Sequence, residues 1–420
     1  MRVLFLSHAH PAQQAGGTEI FARDLFRTLR RHHGAEGLFV AGTHAGRRSG
    51  SPGTAFQAIA GEADELLLWT GGFDHFFQSQ IDNYGVGQHL AELLASLSPD
   101  LVHVHHLMTL GVEVLGLIRR VVPNARIVMT LHDYYAICAN DGQMVTTGGA
   151  LCSAASLDAC ARCFPDRELA DVRLRQLHVA TALRQVDRFI SPSRFLVDRY
   201  VAWGLPPDRI TVMSNGLPER PPAPLRAASD GRRDRFGFFG HINKFKGAMV
   251  ALRASERLSR AGVAHRLILH GGTDFQPEPF VAKFGAALAA APDACHLGPY
   301  VRDDLPRLMA PVDWVLAPSV WWENAPLVIQ EAFQHRRPVI TSAIGGMAEA
   351  VRDGVDGLTV PPGDDFSLAQ AMQRAIEEDG LHDRLSAAIT PPVTIAQAAA
   401  AHAALYRALL DAPATPRIAA

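Results

Sequence analysis

Short apolar runs alternate along the chain with longer segments whose apolar positions recur every three or four residues. In the first half, RVLFLS (2–7), LFVAG (38–42), LVHVHH (101–106), RIVMTLH (126–132), RFISPS (188–193) and ITVMSNG (210–216) predict strands. Between them, segments such as TEIFARDLFRTLRRH place Ile20, Leu25 and Leu29 on one helical face. Strands separated by helices predict βαβ units and a parallel sheet. The pattern lapses over NGLPERPPAPLRAASDGRRD, whose Pro, Arg and small residues read as a linker. It resumes with RFGFFG (235–240), RLILHG (266–271), CHLGPY (295–300), WVLAPS (314–319), PVITSA (338–343) and GLTVPP (357–362).

The fold class is therefore α/β, with two Rossmann-like parallel-sheet domains facing across a cleft. The expected divisions are a first domain at 1–218, a linker at 219–233, a second domain at 234–390, and a tail at 391–420. The tail carries an Ala-rich helix from about Ile395 to Leu410, expected to pack back across the junction. The segment from Ala60 to Gly87 reads as an irregular, aromatic insertion near one mouth of the cleft. Ligands of open parallel sheets bind beyond the carboxyl ends of the strands, so the loops after each strand are searched for chemistry.

Composition narrows the classes. Apolar residues make up 48% and charged residues 20% of 420, ordinary for a globular protein with a sizeable core. Forty basic against forty-two acidic residues give a formal charge of −2, which excludes a general attraction to nucleic acid. No apolar run is long enough for a transmembrane helix, and the N-terminal run reads as a strand, so the expected location is cytoplasmic. The only lysines are Lys244, Lys246 and Lys283. Two of them fall in FGHINKFKG, which suggests that a compact ammonium is required there.

Candidate chemistry falls in the strand-end loops. Gly16 and Gly17 precede a helix start marked by Thr18 and Glu19, either as a simple turn or as a close approach for a phosphate. The spacing is not G-x-G-x-x-G, which counts against a dinucleotide-dependent dehydrogenase. His132 and Asp133 end a strand, as structural hydrogen-bonders or as contacts to a substrate hydroxyl. Lys246, before Gly247, could neutralise a diphosphate leaving group. In SVWWENAPLVIQEAFQ, Glu323 lies in a tight loop at a helix mouth and Glu331 on the helix, spaced to grip different parts of an elongated ligand. Gly345, Gly346 and the VPPGDD loop follow two further strands.

These residues resemble the retaining glycosyltransferases of family 4, which have the two-Rossmann-domain GT-B fold. The resemblance runs through GGTEIFARDL, LHDYY, ISPSRFLVDRYVAWGLPPDRITVMSNG, FFGHINKFKG, HLGPY, PSVWWENAPLVIQEAF and PVITSAIGGMAEAVRDGVDGLTVPPGD. It implies an acceptor-side first domain and a nucleotide-sugar-binding second domain. It also implies that Glu331 holds the ribose hydroxyls, Glu323 the hydroxyls of the transferred sugar, and Lys246 the diphosphate. Asn324, Ala325, Pro326 and Leu327 would meet sugar and phosphate through loop amides. His132 would lie near the reacting carbon and Gly17, with Gly16, under the phosphates. The base would rest against Pro299, Tyr300 and Val301. Two departures stand out. His241 replaces an arginine common in the family, leaving Arg232, Arg233 or Lys244 to make the second phosphate contact, and Glu-Asn-Ala-Pro replaces Glu-Gly-Phe-Gly.

The implied activity is transfer of a hexosyl-type sugar, with retention, from a nucleotide-diphosphate sugar to a glycan or lipid-linked acceptor in polysaccharide biosynthesis. Peripheral contact with the inner membrane face would follow from such an acceptor. No two aspartates are separated by a single residue, so no Asp-x-Asp metal site is expected, and catalysis is read as metal-independent. The alternatives are another GT-B enzyme, either a nucleotide-sugar epimerase or a phosphorylase, and a catalytically silent nucleotide-sugar-binding protein. Four cysteines, Cys138, Cys152, Cys160 and Cys163, cluster in sequence and include one C-x2-C, a candidate structural zinc site. Free thiols tying down a loop are the alternative.

Overall fold

A computed structural model describes residues 1–14, 16–44, 55–82, 85–227 and 231–413. Parts of the expected linker (228–230), insertion (83–84) and tail (414–420) lie outside the described residues. The chain divides into two compact units, Met1–Pro218 with Val393–Ala420, and Glu219–Pro392.

The first unit contains β1 (Arg2–Ser7), β2 (Glu36–Thr43), β3 (Phe56–Ile59), β4 (Glu62–Trp69), β5 (Phe73–Asp74), β6 (Ser79–Gln80), β7 (Leu101–Val104), β8 (Arg126–Thr130), β9 (Arg188–Ser191) and β10 (Ile210–Val212). Its main sheet runs β10-β9-β8-β7-β1-β2-β4-β3. All neighbours are parallel except β3, which pairs antiparallel with β4. β1 is buried along almost its whole length, as expected for a strand covered by helices on both faces. The helix Gly17–His33 buries Phe21, Leu25 and Leu29 against it. The C-terminal helix Ile395–Asp411 opens with a capping box at Thr394 and Gln397, and sets Ala399, Ala403 and Tyr406 into the same core as Phe5 and Phe21.

The reading of 60–87 as an irregular insertion is corrected. β4 is an internal strand of the main sheet, and only the β5–β6 ribbon beyond it is separate. Acidic residues in EADELLLW obscured the strand pattern. Glu65 is nevertheless buried, accepting hydrogen bonds from Arg23 Nε (2.8 Å) and Arg27 Nε (2.6 Å) and lying 2.8 Å from His10 Nε2. Burial alone would raise this carboxyl, but those bonds outweigh it and hold the pKa down at about 2.

The second unit contains β11 (Arg235–Phe239), β12 (Arg266–His270), β13 (Ala294–His296), β14 (Trp314–Ala317), β15 (Val339–Ser342) and β16 (Gly357–Val360). They form one parallel sheet in the order β13-β12-β11-β14-β15-β16. The helices Ala248–Arg260 and Asp365–Glu377 pack an apolar core of Val250, Leu258, Leu368 and Met372 against it. In each sheet the chain order reverses beside its first strand, between β7 and β1 in one and between β11 and β14 in the other. Such switch points open crevices at the carboxyl ends of strands.

Candidate functional site

At the switch point of the second unit, the turn after β11 is built by Asn243, whose Oδ1 accepts from the backbone N–H of Phe245 (2.9 Å) and Lys246 (3.0 Å). Gly247 then takes φ +80° and starts the helix Ala248–Arg260. A Cβ there would lie 1.9 Å from the Pro318 carbonyl oxygen, so only glycine lets this turn press against the loop after β14. The two loops are tied again by Val320 N–H to Phe245 O (2.8 Å) and by the stacked rings of Phe245 and Trp321, 5.2 Å apart.

This clamp presents Lys246 to Glu323. The ammonium lies 2.7 Å from Glu323 Oε1, which also accepts from Trp321 Nε1 and Ser319 Oγ, both at 2.9 Å. All three donors converge on Oε1, and none of them reaches Oε2. Glu323 is 6% exposed. Burial pushes its carboxyl up, but the Lys246 charge and the three hydrogen bonds outweigh that and hold the pKa below the usual range. The expected placement of Glu323 among helix amides is thus refined: side chains hold the carboxylate, while its backbone carbonyl accepts from Gly346 N–H (2.7 Å). A Cβ on Gly346 would lie 1.5 Å from Asn324 O, so the Gly345–Gly346 pair seats the Glu323–Asn324 backbone. Ala325 and Pro326 complete the loop, and the helix Leu327–Gln334 begins directly after Pro326.

Glu331 sits on that helix, 7% exposed, with Oε1 accepting from Arg302 Nε at 2.9 Å. Here burial exceeds the offset from Arg302, and the carboxyl is raised. Burial, then the Glu331 charge, raises the Tyr300 phenol well above its usual range, while Val301 is well exposed and Pro299 is exposed beside it. His241 Nε2 donates to the Asp274 carbonyl at 2.9 Å. Of the residues considered as substitutes for the family arginine, Arg232 and Arg233 precede β11 and so lie at the opposite end of the strand. Arg233 is bound there to Asp313. Lys244 stays at the carboxyl end, its ammonium 4.7 Å from the Phe245 ring centroid.

The first unit gathers a different set at its switch point. Gly16 caps the helix Gly17–His33, and the buried Glu19 carboxylate reaches back toward it while lying 2.9 Å from His8 Nε2. His106 Nε2 lies 2.9 Å from Asp133 Oδ2, and the His8 and His106 rings are 4.6 Å apart. His132 Nε2 meets His105 Nδ1 at 3.1 Å. Burial, then the neighbouring His106, lowers His132 to about 3, so the ring is neutral at physiological pH. Burial also lowers His8 and His105, whereas Asp133 overcomes burial and raises His106. Sequence reasoning identified His132 and Asp133 but missed His8, His105 and His106. The signal was the unusual LVHVHH run, read only as a strand.

Cys138, Cys152, Cys160 and Cys163 are read either as a structural zinc set or as free thiols. Among the described residues, no three His, Cys, Asp or Glu side chains are arranged to hold a metal ion. None of the five cysteines is in a disulfide. Cys152 Sγ lies 3.2 Å from the Ala154 carbonyl, Cys163 Sγ accepts from Thr147 N–H at 3.1 Å, and burial raises the Cys138 and Cys160 thiols. Cys152 and Cys163 thus meet loop backbone, and Cys138 and Cys152 lie near Cys160. Among the described residues no helix is long and apolar enough to cross a membrane.

Two doubly wound units with ionised or hydrogen-bonding side chains at both switch points define a class, the two-Rossmann-unit GT-B chains. Within it, residues 15–219 match the model for Glycosyltransferase Family 4, and residues 233–378 match that for Glycosyl transferases group 1. The chain belongs to the family 4 glycosyltransferases. It is 30% identical over 246 residues to the D-inositol 3-phosphate glycosyltransferase of Salinispora arenicola, covering 54% of this chain and 52% of that protein. It is 25% identical over 167 residues to the alpha-D-kanosaminyltransferase of Streptomyces kanamyceticus, covering 38% and 42%. The chain spans about half the length of the curated relatives it matches. Among solved structures, HepE of Anabaena in complex with UDP and glucose superposes with a TM-score of 0.66 at 17% identity, covering 97% of this chain and all of that one. Sucrose-phosphate synthase of Thermosynechococcus elongatus gives 0.67 at 18%, covering 97% and 99%.

Proposed function

We propose that the chain transfers a sugar from a nucleotide-diphosphate sugar to a glycan or lipid-linked acceptor, with retention at the anomeric carbon. The observation that carries this reading is the Lys246–Glu323 pair beside the Arg302–Glu331 pair in the loops at the carboxyl ends of one parallel sheet. An ammonium, two carboxylates and two loop-to-helix turns in one unit suit a ligand with a diphosphate flanked by two hydroxylated rings.

In this reading Glu331 grips the ribose hydroxyls, and the base rests on Pro299, Tyr300 and Val301. Glu323 holds hydroxyls of the transferred sugar through Oε2, while Oε1 stays anchored by Trp321 and Ser319. Lys246 neutralises charge on the departing diphosphate, helped by the N-terminus of the helix Ala248–Arg260. His241 and Lys244 flank the phosphates, and the Asn324–Leu327 amides face sugar and phosphate. Gly16, Gly17 and His132 keep the roles that the resemblance implies. The bond from the anomeric carbon to the diphosphate oxygen breaks with its electron pair leaving on the diphosphate. The acceptor oxygen attacks the same face of the oxocarbenium-like carbon, and its proton passes to the departing phosphate oxygen.

The cationic work falls to Lys246 and helix N-termini, so the reaction is read as needing no catalytic metal. The Anabaena structures hold UDP with glucose or UDP-glucose, which makes uridine donors the first to assay. A cytoplasmic enzyme acting at the inner membrane face fits a lipid-linked acceptor. The test is nucleotide release from a nucleotide-sugar panel with and without candidate acceptors, followed by NMR of the product's anomeric coupling. Acceptor-dependent release with the donor's anomeric configuration supports the reading. Inversion overturns retention, and acceptor-independent conversion of the donor indicates an epimerase.

A further inference from the structure

His132 makes its ring contact with a second histidine, and that partner has a peculiarity. His105 is fully buried, and its Nδ1 lies 3.1 Å from His132 Nε2. Its other nitrogen, Nε2, is buried and has no hydrogen-bond partner among the described residues. Packing fixes the ring plane: His105 is 4.1 Å from the His103 ring and 5.2 Å from Phe5, stacked on the latter. His103 is itself pinned at both nitrogens, by Tyr406 Oη at 2.6 Å and Thr130 Oγ1 at 2.8 Å. The Tyr406 hydroxyl comes from the helix Ile395–Asp411, so the last helix of the chain braces the histidine array.

Two neutral imidazoles joined by one hydrogen bond share one proton, and it belongs either to His105 Nδ1 or to His132 Nε2. If His132 donates, His105 must carry its own proton on Nε2, leaving a buried N–H with no acceptor. If His105 donates, its Nε2 is left with only a bare lone pair. Buried orphan donors are the rarer and costlier of the two.

We propose that His105 is a positioning residue that donates its Nδ1–H to His132 Nε2 and so fixes His132 with its own proton on Nδ1. His132 then meets a sugar oxygen as a neutral donor and does not take a proton from the acceptor. The inference rests on the reading of His132 as a residue that faces the transferred sugar. It explains why a buried histidine, rather than an apolar residue, underlies His132.

The test uses the full chain with nitrogen-labelled histidine and variants His105→Asn and His105→Asp. Asparagine keeps an N–H near the Nδ1 position, and aspartate replaces it with an acceptor. Two-bond proton–nitrogen correlation on the wild type is expected to show His132 protonated on Nδ1 and bare on Nε2. His105→Asn should keep that signature and a rate near wild type. His105→Asp should move the proton to Nε2 and cut kcat about 100-fold while leaving donor KM unchanged. A wild-type His132 protonated on Nε2 overturns the proposal, as does His105→Asp retaining wild-type rate. If His105→Asp does not fold, the wild-type spectrum and His105→Asn still decide. If no donor supports transfer, the proposed function fails while the tautomer signature independently tests the role of His105.

Discussion

The two units share a topology and differ in how they place polarity at the switch point. In the second unit the strand-end loops carry formal charges in matched pairs, Lys246 with Glu323 and Arg302 with Glu331. In the first unit the corresponding loops carry imidazoles, and burial keeps His8, His105 and His132 neutral. A charged ligand segment needs a partner that can be exchanged for it, and in the proposed reading Lys246 turns from Glu323 to the diphosphate. Neutral hydroxyls need oriented donors and acceptors without net charge, which stacked histidines supply. The same scaffold is thereby specialised twice by residue choice at a few loop positions.

The sharpest way to break this comparison is to remove the exchangeable cation. Lys246→Ala should slow transfer by about 100- to 1,000-fold, the scale of losing one preorganised charge stabiliser. Steady-state rates beside circular dichroism would show a slow but folded variant, and near-normal rates would remove Lys246 from the mechanism. Glu331→Ala should weaken nucleotide binding by about 10- to 100-fold, the scale of a charged hydrogen bond, with a smaller effect on kcat. Calorimetric titration with the free nucleotide diphosphate checks it, and unchanged affinity would contradict the ribose role.

Acidification separates the units without mutation. His8, His103, His105, His132 and His402 all have folded pKa values lowered from 6.5. For a lowered base, the unfolded chain takes the proton first, so stability is present above pH 6.5 and falls as pH drops below it. His106 is raised and works the other way, its contribution being full below 6.5 and lost as pH rises through its folded value. Glu323, lowered from 4.5, contributes above 4.5 and is lost only as pH falls through its folded value. Glu331, raised, favours the folded state below 4.5. The second unit also has His270, His335 and His382 lowered, so it follows by less. Between pH 7 and 5, hydrogen-exchange protection in 1–218 should fall by about tenfold or more relative to 219–392, the scale of one pKa unit on one group. Equal loss in both units would contradict the contrast.

Tyr406→Phe should have the smallest effect. It removes the hydroxyl at His103 Nδ1 and should cost about 1 kcal/mol of stability, read by urea unfolding. A neutral result would mean the helix Ile395–Asp411 braces the array by packing alone.

Most strands were legible because parallel strands buried on both faces read as uninterrupted apolar runs, as RIVMTLH and WVLAPS do. β4 was not, because Glu62, Asp64 and Glu65 interrupt its run, and only the folded chain shows Arg23 and Arg27 answering the two glutamates and Arg30 answering Asp64. Lysine scarcity marked Lys246, but its partner lies 77 residues away, and no local pattern reveals that pairing. Trp321 and Ser319 are local to Glu323, but their hold on one of its oxygens depends on how the loop folds back, which spacing does not show. The cysteine spacing left zinc and free thiols open because sequence shows proximity along the chain, whereas the backbone contacts of Cys152 and Cys163 appear only in the fold.

The most direct test is a thermal-shift screen of wild type and Glu331→Ala against a panel of nucleotide-diphosphate sugars. A donor that binds the folded chain must stabilise it by mass action. The account predicts that at least one member, uridine donors being tried first, raises Tm of the wild type and raises it much less in Glu331→Ala. A panel with no effect on the wild type, or an equal shift in both proteins, would contradict it.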